Sequence, residues 1–452
     1  MVTAGLRSAS WTLCSPAAPT DIFHRSSNMR LLAVSYMLPP ALYPQAIQIG
    51  RLLTNLPVEV GAVCGEVTEL SAGLDSYAGF AGGLAFCLNV EFRPLVAGFA
   101  ARVARRFLPF YGDIPDEFRG WVPRAERAVE EKLRAGGFRP DILVTFGVPM
   151  SDHLLGLRLK PKLGVPWIAH FSDPWSDNSF RHHKILSNFI NRRLERQVIA
   201  EADAIIFPSV EMLDLVMRKY PENWRAKTAV LPHSFDPALH PQPTPDAGGP
   251  VLRYLGNFYG HRSPVPLFRA LKTILATEPE LLDGIRVELV GQMPRRMRLH
   301  PALRALPQGL VQVRDTVPYS QALSLMSNSD MLLVIDGPDD LSVFLPSKLV
   351  EYLGSGTPIF GIVPPGTSAK LLARMGAAVN DPRKPEEVVE GLRQALRLVR
   401  ARRALPVPGP WGDPAVREEF RAERVRSAFV GILNQVLQHS PVATDASTVP
   451  SC

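Results

Sequence analysis

Residues 342–363, SVFLPSKLVEYLGSGTPIFGIV, set a proline, a serine and a lysine at the start of a helical pattern, with a glutamate one turn later. Proline suits the first turn of a helix, and the free amides there, with the Lys348 ammonium, favour a phosphate oxygen. Glu351 offers a carboxylate whose two oxygens can each accept a hydroxyl, as the diol of a ribose requires. Without a ligand, the same two residues are an i, i+3 ion pair on a solvated helix. Gly354, Gly356 and Pro358 end the helix, and a strand over 359–363 follows. A second group lies in IAHFSDPWS, residues 168–176. Asp173 stands just past a strand and before Pro174, where open α/β sheets place their clefts, so it can orient a hydroxyl or a sugar. His170 is a weaker catalytic candidate, because a lone histidine inside a strand is more often a core residue. Trp175 fits the floor beneath a sugar ring and loop packing equally well.

The elements that must position these residues alternate short aliphatic runs with helical periodicities, the signature of βαβ units on parallel sheets. Strands are predicted over 31–36, 58–64, 142–146, 167–170, 204–207 and 228–231, with helices over 46–54, 123–135, 184–200 and 210–219. Residues 236–250 hold five prolines and two glycines and mark a linker. The pattern then restarts, with strands over 252–255, 287–290, 311–313, 331–335 and 359–363. Two doubly wound, Rossmann-like α/β domains are therefore expected, over 29–235 and 251–404. A connecting segment and one amphipathic helix follow over 405–438, where Val416, Phe420, Val425, Phe429, Ile432, Leu433 and Val436 share a face. Residues 1–28 and 439–452 are expected to be disordered extensions.

The whole chain has 452 residues, a formal net charge of +7 and 46% hydrophobic residues, a balance that excludes disorder as the dominant state. Cys14, Cys64, Cys87 and Cys452 form no CxxC or Cys/His ligand spacing, so a disulfide framework and a structural zinc site are not expected, and a reducing cytoplasm fits. No run reaches the roughly 18 apolar residues of a membrane span. The absence of GxxxxGK[ST], of a strand-borne GxGxxG and of HExxH argues against ATP, NAD and zincin chemistry. Asp336, Asp339 and Asp340 read as turn residues after a strand before they read as metal ligands, so no metal is expected. Residues 94–110 combine Arg102, Arg105 and Arg106 with apolar and aromatic residues, a pattern suited both to an anionic membrane surface and to packing on the first sheet. No recognition-helix pattern accompanies the basic surplus, and nucleic acid is not an expected partner.

The run PSKLVEYLGSGTPI resembles the donor-nucleotide segment of family 4 glycosyltransferases of the GT-B architecture, in which two Rossmann-like domains face a cleft. LRYLGNFYGHR, with Gly256, Asn257 and Arg262, is similar to the family's glycine loop, whose basic residue contacts the donor diphosphate. VELVGQM around Gly291 resembles the strand–glycine segment beneath the nucleobase, and IAHFSDPWS resembles the strand end that carries a cleft residue in the first domain. The resemblance implies donor binding by Gly256, Asn257, Arg262, Gly291, Lys348 and Glu351, with Asp173 and His170 as catalytic candidates. Two departures stand out. Relatives often carry two glutamates eight positions apart; Glu351 matches the second, and Val343 occupies the place of the first. Many also carry an arginine after the loop glycine, where this chain has Asn257.

A sugar–phosphate bond breaks with negative charge growing on the leaving diphosphate. Fixed cations and amide dipoles at Arg262, Lys348 and the helix start would stabilise that charge without a metal. The expectation is a cytoplasmic, cofactor-free enzyme that moves a sugar, with retention, from a UDP-sugar to a glycan or lipid-linked acceptor. An anionic membrane face is a further candidate partner. The alternatives are a nucleotide-sugar 2-epimerase of the same architecture, which needs no acceptor, and a catalytically silent binding subunit.

Overall fold

The computed structural model describes residues 29–66, 77, 79–94, 114–180, 185–244, 248–405 and 409–439. In the first sheet, β1 (Arg30–Val34), β2 (Glu59–Gly65), β3 (Phe86–Val90), β4 (Ile142–Gly147), β5 (Trp167–Phe171), β6 (Ala204–Phe207) and β7 (Thr228–Val230) lie in the order β3-β2-β1-β4-β5-β6-β7. Every pairing is parallel. Among them pack helices α1 (Pro44–Leu53), α2 (Val122–Arg134), α3 (Ser151–Leu163), α4 (Ile185–Glu201) and α5 (Val210–Met217). All six residues of β4 and all five of β5 are buried, as parallel strands covered on both faces must be.

The second sheet repeats the plan. Strands β8 (Val251–Leu255), β9 (Arg286–Val290), β10 (Val311–Arg314), β11 (Met331–Ile335), β12 (Ile359–Ile362) and β13 (Val379–Asn380) run parallel in the order β10-β9-β8-β11-β12-β13. The helices of eight or more residues here are α6 (Val265–Thr277), α7 (Tyr319–Ser327), α8 (Ser347–Ser355), α9 (Thr367–Arg374) and α10 (Pro385–Arg403); α11 (Ala422–His439) follows. In each sheet the strand order reverses beside the first strand of the unit, between β1 and β4 and between β8 and β11. The carboxyl ends at those switch points are where such sheets hold ligands.

Three of these elements escaped the sequence reading: the two-residue β13, β3 and α3. β3, FCLNV, is an edge strand that is only partly buried and lacks an alternating pattern. α3 carries Gly156 and Pro161 inside it; a Cβ at Gly156 would stand 2.5 Å from the Trp167 ring, so close helix–sheet packing explains the glycine that masks the helix. The predicted helix spanning Val416 to Val436 is two helices, Pro414–Glu419 and α11. The break arises because Phe235 donates its N–H to the Phe420 carbonyl and accepts from Ala422 N–H, at 2.9 and 2.8 Å. α11 then packs across α1 of the first unit. The expectations for residues 1–28, 95–110 and 440–452 lie outside the described residues.

One apolar core joins the units: Ile49 and Leu53 of α1, Leu349 and Tyr352 of α8, and Phe429 and Leu433 of α11 belong to it. A second seam forms where Ser209, the N-cap of α5, donates to the Val343 carbonyl at 3.0 Å. The Thr367 hydroxyl of α9 lies 3.1 Å from the same carbonyl and 3.0 Å from Glu211 Oε2, within reach of either for its one proton. The Val343 side chain is buried in the apolar core of the first unit.

Candidate functional site

At the second switch point, β8 ends in Gly256 and β9 in Gly291, both with positive φ, +137° and +134°. Glycine is required at both. A Cβ at Gly291 would stand 2.3 Å from the Gly256 carbonyl oxygen, and one at Gly256 would stand 2.6 Å from Lys348 Nζ. The Asn257 side chain braces this pair of turns by accepting the Gln292 N–H at 2.9 Å.

Two buried cations flank the glycine turns. Arg262 donates from Nη2 and Nε to Asp336 Oδ1, at 2.9 and 3.2 Å, and lies over the Tyr259 ring at 4.9 Å. Burial works against its charge, but Asp336, with help from Tyr254 and Tyr259, holds the guanidinium above its ordinary value. Lys348, in the first turn of α8, donates to the Tyr254 hydroxyl at 2.6 Å, its one hydrogen-bond acceptor among the described residues. Burial, reinforced by the nearby Arg262 charge, pushes its ammonium well below the usual lysine value, and Asp336 only partly offsets this. Arg262, Lys348 and Asp336 thus leave two cationic groups to one carboxylate beside the start of α8, an arrangement that attracts a polyanion.

Glu351, one turn along α8, is buried at the seam between the units. Its Oε2 accepts from Arg51 Nη2 at 2.6 Å and from the Tyr319 hydroxyl at 3.1 Å, while Oε1 lies 3.1 Å from His240 Nε2. Burial pushes its carboxyl up, but Arg51 and His240 outweigh that and hold it below the usual range.

The first unit presents a different surface. Asp173 is half-buried, two residues beyond β5, and has an interaction partner. His170, near the end of β5, lines a cavity with Gln48, Phe146, Ser172 and His233; among the described residues its Nδ1 and the Gln48 amide nitrogen have no hydrogen-bond partner. Burial lowers the pKa of His170 to about 4 and that of His233 to about 3, with His170 and Arg51 adding to the effect at His233. These imidazoles are neutral. Trp175 is fully buried and donates to Asn191 at 2.9 Å, so it packs the loop and floors no ring. The same loop carries Phe180 across to the second unit, 5.1 Å from the Phe344 ring and 5.9 Å from the Arg262 guanidinium.

The structure therefore brings Gly256, Asn257, Arg262, Gly291 and Lys348 together, keeps Glu351 at the seam, and sets His170 and Asp173 on the opposing sheet. Among the described residues no group of three or more His, Cys, Asp or Glu side chains is arranged to hold a metal ion. Sequence reasoning missed Tyr254, Phe180, Arg51, Tyr319 and His240 as members of the site and seam. Arg51 carried a signal, a lone charge among Ile49, Gly50, Leu52 and Leu53, which marks a buried pairing.

Residues 51–233 match the model of the glycosyl transferase 4-like domain. No curated protein matches the chain in sequence. Among solved structures, an α,α-trehalose-phosphate synthase (UDP-forming) from Burkholderia vietnamiensis superposes with a TM-score of 0.58 at 14% identity, over 91% of this chain and 100% of that one. A lipopolysaccharide outer core galactosyltransferase gives 0.57 at 13% identity, over 90% and 99%. A UDP-N-acetylglucosamine 2-epimerase gives 0.54 at 13% identity, over 92% and 96%. At these identities the superpositions speak for the fold.

Proposed function

From a chain whose residues 51–233 match the model of the glycosyl transferase 4-like domain, within a GT-B frame of two Rossmann-like units, we propose a glycosyltransferase. It moves a sugar from a nucleoside diphosphate donor, a UDP-sugar, to a hydroxyl of a glycan or lipid-linked acceptor, with retention at the anomeric carbon. The observation that carries this reading is the pair of buried cations, Arg262 and Lys348, beside the glycine turns of β8 and β9 with Asp336 as their one carboxylate.

As the bond between the anomeric carbon and the diphosphate lengthens, charge accumulates on the leaving oxygens. Arg262, Lys348 and the amides that open α8 face that charge from fixed positions, so little reorganisation is needed when it appears. Gly256 and Gly291 let the backbone approach the phosphates without a Cβ between. Asp173 orients the reacting groups from the first unit, and the neutral His170 offers hydrogen bonding without a competing charge. Glu351 takes the ribose. These cations fill the role a divalent metal would otherwise serve. In this reading the protein works in the cytoplasm, and a lipid-linked acceptor brings it to the inner face of a membrane. Among the described residues, no helix is long and apolar enough to cross one.

The test is a screen of nucleotide sugars for thermal stabilisation, followed by product analysis with membrane extract as the source of acceptor, in EDTA. The expected result is stabilisation by a UDP-sugar and a new glycoside of retained configuration. Activity that vanishes in chelator and returns with magnesium or manganese overturns the metal-free mechanism. Isomerisation of the donor without acceptor would make the protein an epimerase, and donor binding without turnover would make it a binding subunit.

A further inference from the structure

Arg51, in the last turn of α1, is 1% exposed and reaches from the first unit into the second. It donates to the Ser234 carbonyl, to the Tyr319 hydroxyl and, at 2.6 Å, to Glu351 Oε2. Tyr319 donates to the same carboxylate oxygen at 3.1 Å. Two donors fill the two acceptor positions of Oε2, and His240 takes one of those on Oε1. One position remains on a carboxylate that is 4% exposed. A ribose diol needs two.

We propose that Arg51 and the ribose of the donor compete for Glu351, so that binding a nucleoside diphosphate requires the seam pair between α1 and α8 to part. The inference rests on the reading of Glu351 as the ribose contact. Parting a buried ion pair is strongly unfavourable unless each partner finds a substitute. Here the two ribose hydroxyls satisfy the carboxylate, while the guanidinium keeps only the Ser234 carbonyl it already holds, so the cost of parting the pair is set against donor affinity. Since Arg51 stands on one unit and Glu351 on the other, the exchange makes donor affinity depend on how the units are set. Arg51 is thus a specificity-setting residue, because a nucleotide lacking one ribose hydroxyl cannot fully replace it.

The experiment is calorimetric titration with UDP and with 2′-deoxy-UDP on the full chain and three variants. In the unmodified protein UDP should bind more tightly than 2′-deoxy-UDP, and Glu351→Gln should weaken UDP. Arg51→Met, which keeps bulk and removes the competing charge, should bind UDP about tenfold more tightly, since the cost of parting the pair is gone. Tyr319→Phe leaves the ion pair and removes one competing donor, so a gain of about twofold is expected, and it carries the test if Arg51→Met fails to fold. A merely structural arginine would give weaker binding when replaced. If UDP outbinds its deoxy analogue and neither variant gains affinity, the competition is overturned while the ribose contact stands. If the two nucleotides bind equally, the ribose contact fails and the inference with it.

Discussion

At the carboxyl ends of the second sheet two buried basic groups, Arg262 and Lys348, share one carboxylate, Asp336, whereas those of the first sheet carry three buried imidazoles whose charge burial disfavours. Both surfaces are dehydrated, and burial alone discharges a basic group. His153, His170 and His233 follow that rule, with pKa values lowered to about 3, about 4 and about 3. Arg262 escapes it because Asp336 lies 2.9 Å away, and Lys348 sits between the two cases. The fold thus offers one rim suited to a diphosphate and one suited to hydroxyls, and their chemistry differs through a few partners placed at equivalent points of two similar sheets.

The largest effect is expected where the two regions are sewn together. Val343→Glu installs the residue that the family resemblance leads one to expect there, but it buries an unpaired charge in the core of the first unit. It should lower stability by at least about 3 kcal/mol in chemical denaturation. A small loss would mean that the Val343 side chain faces the cleft.

A smaller effect separates the rims themselves. Arg262→Gln removes a charge-assisted contact to the diphosphate and should weaken UDP by about 1.5–3 kcal/mol, a factor of roughly ten to a hundred. The matching change on the other rim, His170→Gln, swaps one neutral hydrogen-bonding group for another and should leave UDP affinity within about twofold. Equal losses in a titration of both variants would remove the distinction between the rims.

Much of this arrangement was legible in the sequence because it depends on periodicity and on residues adjacent in the chain. The alternation of apolar runs and helices gave the two sheets. Pro346, Ser347 and Lys348 announced the start of α8, and the resemblance to a glycine loop and a strand–glycine segment picked out Gly256 and Gly291. What was not legible depends on tertiary neighbours. Nothing near Glu351 in sequence reports Arg51, 300 positions away, or the His240 that closes its other side. Trp175 gave no sign that it faces Asn191 instead of a ligand. The bend between Phe420 and Ala422 is imposed by Phe235, a partner that helical periodicity cannot reveal.

The central claim is that Lys348, whose charged form is disfavoured by burial, is held ready for a diphosphate. Burial and Arg262 hold its amine well below the ordinary lysine value, so the free protein gives up that proton more readily than an exposed lysine would. A phosphate oxygen beside it favours the charged form, so the complex holds that proton more tightly than the free protein does. Binding then weakens as pH rises from the free amine's pKa toward that of the complex. The measurement is calorimetry of UDP binding in buffers of different ionisation enthalpy at about pH 8, where the diphosphate itself is fully ionised. Greater proton uptake is predicted for the unmodified protein than for Lys348→Met. Equal proton counts in the two proteins, or proton release on binding, would contradict the account.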